Sequence, residues 1–138
     1  MNLLEQLKLA NLEALKARDK NTRAILSVVI NKVTTKEKEH NTTLSDEEVL
    51  LLIIKANKEL EEEKAGYIMA NNLERVESIE VQIKALDIYI PKQLSETEIR
   101  KEIDKLDDKT LPNIMKHFKM NFAGRADLSL VSRVARSL

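Results

Sequence analysis

One proline constrains this chain more than any other residue. Pro91 lies between about ninety residues patterned as long helices and forty-odd more. It has no amide hydrogen and disfavours helical geometry in the residue before it, so the helix arriving through Leu86 is expected to end near Ile90. Four residues later a new helix is announced. Ser95 can accept from the Glu98 amide while the Glu98 carboxylate reaches back to the Ser95 amide, with Leu94 and Ile99 clamping the turn. Stop, spacer and start together divide the chain into residues 1–90, a joint at 91–94, and residues 95–138.

The same start device recurs at Leu44-Ser45-Asp46-Glu47-Glu48-Val49. Its helix is expected to run toward Ala70, apolar first and then charged and solvated from Glu59 to Lys64, with Gly66 marking a kink or a close crossing. Before it, helical spacing predicts one helix over Leu3–Arg18, a turn at Asp19-Lys20-Asn21, and a second over Thr22–Glu39. That second helix is apolar on more than one face and so belongs centrally in a bundle. After it, Leu73, Val76, Ile83, Leu86 and Ile90 line a fourth helix. Beyond the joint, Ile99, Ile103 and Leu106 form one stripe. Pro112 opens a helix carrying Ile114, Met115 and Phe118, and Asp127 caps a last one whose Leu130, Val131, Val134 and Leu138 face inward.

Two glycines, two prolines and four Phe or Tyr leave little to build strands from, so the predicted fold class is all-α: an N-terminal bundle of about four helices and a small C-terminal three-helix domain. There is no cysteine, hence no thiolate chemistry and no disulfide frame. The longest apolar run, Val49 to Ile54, is far shorter than the ~20 residues a membrane span needs. A cytoplasmic protein without membrane partners is expected.

The sequence offers little for catalysis. No serine sits in a glycine-rich turn that would expose a nucleophile, and Ser45 and Ser95 read as caps. Gly66 and Gly124 lie too far apart for a phosphate loop. Glu37 and His40 have Glu-x-x-His spacing, but a di-iron bundle needs two such motifs. No catalytic residue, metal site or cofactor is therefore expected.

Charge is more informative. The zero net charge sums unlike blocks: residues 1–40 carry eight Lys or Arg against five acids, 41–108 nine against seventeen, and 109–138 six against one. In the last block Lys116, Lys119, Arg125, Arg133 and Arg136, with His117, form a candidate phosphate-binding set, since phosphate contacts need clustered cations and no base code. A merely solvated basic face is the alternative.

Two stretches carry a resemblance. Tyr89, Ile90, Pro91, Gln93, Leu94, Ser95 and Glu96 are similar to the YLP-x-QLSE segment of the GatB/YqeY family, and Ile114, Met115, Gly124, Arg125, Ala126 and Asp127 to its VM and G-[KR]-A-D-G positions. Pro112 and Asn113 stand where the family has a glycine, and Leu128 where it has another. The family comprises small free-standing proteins related to the tail domain of the GatB component of the tRNA-dependent Asp/Glu amidotransferase. The resemblance implies a tRNA- or RNA-binding module accessory to amidation of tRNA-linked Glu or Asp, with amidotransferase or tRNA synthetase components as partners. It equally leaves open carbon–nitrogen ligation with glutamine as amide donor, and the acidic middle leaves open a protein–protein adaptor.

Overall fold

The computed structural model describes residues 1–138 and contains seven α-helices and no strand. Contacts divide the chain into two compact units, Met1–Ile90 and Pro91–Leu138.

The first unit is built from α1 (Leu3–Lys16), α2 (Lys20–His40), α3 (Asp46–Met69) and α4 (Leu73–Asp87). Its core joins Leu7 of α1, Leu26, Val29 and Val33 of α2, Val49 and Ile53 of α3, and Ile83 and Leu86 of α4. Three of its four helices end without glycine in one way. Arg18, Asn41 and Asn71 take positive φ, and the next amide returns to a carbonyl a full turn back: Asp19 N to Ala14 O, Thr42 N to Glu37 O, Asn72 N to Tyr67 O. In two cases that next residue is already the following helix's N-cap. Asp19 accepts from the Thr22 amide at 3.1 Å and the Thr22 hydroxyl at 2.6 Å, and Asn72 accepts from the Arg75 amide at 3.3 Å. Stop and start fused in three residues fold α1 onto α2 and α3 onto α4, the antiparallel arrangement that short connections favour. The turn expected over residues 19–21 is accordingly shorter, and Lys20 is already helical.

Other expectations need adjustment. α2 supplies four buried residues to the core as expected of a central helix, yet Val28 is 45% exposed. A Cβ added to Gly66 would meet nothing within 4 Å, so no close crossing occurs there. From Glu61 to Ala70 no residue of α3 is buried, which leaves that end solvated. α4 stops at Asp87 rather than Ile90, and Ile88 to Ile90 form turns, with the Tyr89 amide on Leu86 O and the Ile90 amide on Asp87 O. Because Pro91 forces Ile90 out of helical geometry, the last turn has already loosened.

The second unit contains α5 (Glu96–Asp104), α6 (Leu111–Asn121) and α7 (Leu128–Arg136). Leu94, Ile99, Ile103, Ile114, Phe118, Val131 and Val134 make its core, and α7 packs on both other helices. Leu138, expected inside, is 61% exposed because α7 ends two residues earlier.

Candidate nucleic-acid interface

α6 begins with Pro112 in its first turn and presents Ile114 and Phe118 to the core. The helical period then puts Lys116 on the opposite side and Lys119 on a flank, both exposed. On α7, capped by Asp127 accepting from the Ser129 amide at 3.0 Å, the inward Val131 and Val134 leave Arg133 and Arg136 outside. None of these four cations enters a salt bridge. They form two exposed pairs, each one turn apart, on packed helices.

Arg125 is exposed as well, but it and His117 also have partners within the unit. The Arg125 carbonyl accepts from the Leu94 amide at 2.7 Å, its own amide donates to Phe122 O, and its guanidinium lies 5.8 Å from the centre of the Phe122 ring. It also stands close enough to Glu98 to help hold that carboxyl below its usual range, after the larger effect of the hydrogen bonds from Ser95. His117 turns toward α5, where its buried Nε2 faces Glu102 Oε2 at 3.7 Å. The Asn121 amide nitrogen sits 3.1 Å from His117 Nδ1 and donates to the His117 carbonyl at 3.0 Å. Glu102 is itself held below the usual carboxylate range, first by the Lys105 ammonium at 3.0 Å and then by His117. His117 thus works inside the unit rather than with the four exposed cations.

Charge within the unit is segregated by element. From Glu96 to Asp108, α5 and its following loop carry six acids, whereas everything from Lys109 onward carries six cations and Asp127 alone as an acid.

The structure also explains the two stretches that carry the resemblance, because they meet. Gln93 donates from Nε2 to its near neighbour Pro91 O at 3.0 Å and to Gly124 O at 2.6 Å, while the Leu94 amide reaches Arg125 O. Leu94 is buried in the core and Ser95 caps α5 in a complete capping box. Gly124 holds φ at 75°, a conformation that costs a side-chain-bearing residue energy, and so aims its carbonyl at Gln93. The Gln93 clasp is a contact that spacing along the chain could not reveal, since its partner lies 31 residues away.

Glu37, the acid of the Glu-x-x-His pair, spends its carboxylate on the Leu44 amide at 2.9 Å, closing the loop between α2 and α3.

These features define an all-helical protein of two units, the smaller clasped by its own joint segment and basic on α6 and α7. The chain belongs to the family described as Yqey-like protein, whose model matches residues 4–138. No curated protein matches it.

Proposed function

We propose that the C-terminal unit binds tRNA, or RNA of similar fold, through its phosphates, and that the protein is a non-catalytic accessory to tRNA-dependent amidation in the cytoplasm, working beside amidotransferase or tRNA synthetase components. The observation that carries the reading is the set of four exposed, unpaired cations, Lys116, Lys119, Arg133 and Arg136, on two packed helices from which acids are nearly absent. Mobile ammonium and guanidinium groups with no internal partner are what a phosphate backbone displaces counterions to reach. Binding rather than catalysis is supported by Ser45 and Ser95, whose hydroxyls accept the Glu48 and Glu98 amides and are engaged as caps.

The test is a titration of the full chain with unrelated tRNAs at two salt concentrations. If three to five phosphates are neutralised, log affinity falls with log salt at a slope of roughly −2 to −4. Replacing Lys116 and Lys119 by glutamate weakens all tRNAs alike, since phosphate contacts position without reading sequence. Retained helicity with unchanged affinity would leave only a solvated basic face.

A further inference from the structure

The first unit holds a second cationic feature outside the basic C-terminal segment. A groove of about 400 Å³ runs between α2 and α3. Three lysines line it, Lys32 and Lys36 from successive turns of α2 and Lys55 from α3. The hydroxyl of Thr35 and the amide of Asn31 add neutral donors, and Leu52 supplies an apolar wall. Lys32 is shared with Glu59 at 3.7 Å, whereas Lys36 and Lys55 enter no salt bridge. Glu39 is the one acid in the lining.

We infer that this groove is a phosphate-binding site, taking a phosphate group from a free nucleotide or from an RNA strand. Lys36 and Lys55, on different helices and in no salt bridge, line one concave space together with hydroxyl and amide donors. Lys36 also lies close enough to Glu48 to help hold that carboxyl below its usual range, after the larger effect of the hydrogen bonds from Ser45. A phosphate offers several acceptor oxygens and can engage ammonium, hydroxyl and amide donors together, whereas a carboxylate has two oxygens to share among them. The volume falls within the range of small-ligand clefts, and the Leu52 wall suits the apolar part of a ribose or base. Glu39 opposes an anion, so it sets a direction of effect that a cation-binding groove would reverse.

The experiment titrates isotope-labelled full-length protein with inorganic pyrophosphate, adenosine monophosphate and a short single-stranded RNA, following amide shifts. With the two small probes, saturable shifts confined to residues 31–39 and 52–55 are expected, and the RNA adds to these a separate set on α6 and α7. Saturation by the two small probes identifies a free phosphate compound as the source, and saturation by RNA alone identifies a strand. Lys36→Ala with Lys55→Ala, checked for unchanged helicity, weakens binding ~5-fold or more, the scale of an exposed ionic contact. Glu39→Gln tightens it, and Lys116→Glu with Lys119→Glu leaves the small-probe affinity as it was. Diffuse or unsaturable shifts, an unaltered affinity in the lysine double variant, or weaker binding in Glu39→Gln would each overturn the assignment.

Discussion

At the scale of single residues, hydrogen-bond direction decides what substitution does. Gln93 offers donors to two carbonyl oxygens, and a carboxylate there has none to give. Gln93→Glu should therefore destabilise the C-terminal unit by about 1–3 kcal/mol and Gln93→Ala by about 0.5–1.5 kcal/mol, both read from denaturant unfolding. Arg18 sets the opposite case. Its φ of 58° strains a side chain that glycine would not carry, so Arg18→Gly should stabilise the N-terminal unit, by up to about 1 kcal/mol. Glu98 supplies the pH dependence. The Ser95 amide and hydroxyl hold its carboxyl below the ordinary range, so its contribution is present above the ordinary glutamate value and is lost as pH falls through the lower folded one. Glu98→Gln keeps an acceptor for the Ser95 amide but does not titrate. It should flatten the acid limb of the C-terminal unit's stability, and two superimposable pH profiles would contradict that assignment.

At the scale of elements, each C-terminal helix is too short to hold itself. α5 and α7 have nine residues each and α6 eleven, below the length at which isolated helices are stable in water. They persist because Ile99, Ile103, Ile114, Phe118 and Val131 are almost wholly removed from solvent. Phe118 is the largest of these. Phe118→Ala should cost about 3–5 kcal/mol, comparable to the whole stability of a unit this small. Hydrogen exchange should then show amides of α5 to α7 unprotected while those of α1 to α4 keep their protection. Loss in both sets alike would mean that the units do not fold separately.

At the scale of the molecule, the two cores are distinct clusters, and that of Met1–Ile90 draws on all four of its helices. A fragment of residues 1–90 should therefore fold alone and melt cooperatively, as circular dichroism would register; a fragment without helical signal would sink this. What the sequence determined by itself was local or periodic. Apolar residues at helical spacing predicted most of the buried positions, because a helix repeats its inward side every three or four residues, but Leu73 and Leu138, at or beyond helix ends, are exposed. Ser45 with Glu48 and Ser95 with Glu98 predicted two helix starts, because each cap closes within four residues. Exposure of Lys116, Lys119, Arg133 and Arg136 follows from the same periodicity. Tertiary structure alone decided the rest. Arg18, Asn41 and Asn71 carry no glycine to signal a helix end, although each end is closed locally by the next residue's amide on a carbonyl five residues back. Gln93 finds Gly124, His117 finds Glu102, and Lys36 and Lys55 come to line one groove only once segments distant in sequence have packed. A pattern along the chain records which side of a helix is apolar, and it holds no record of which polar group will stand opposite when that side is buried.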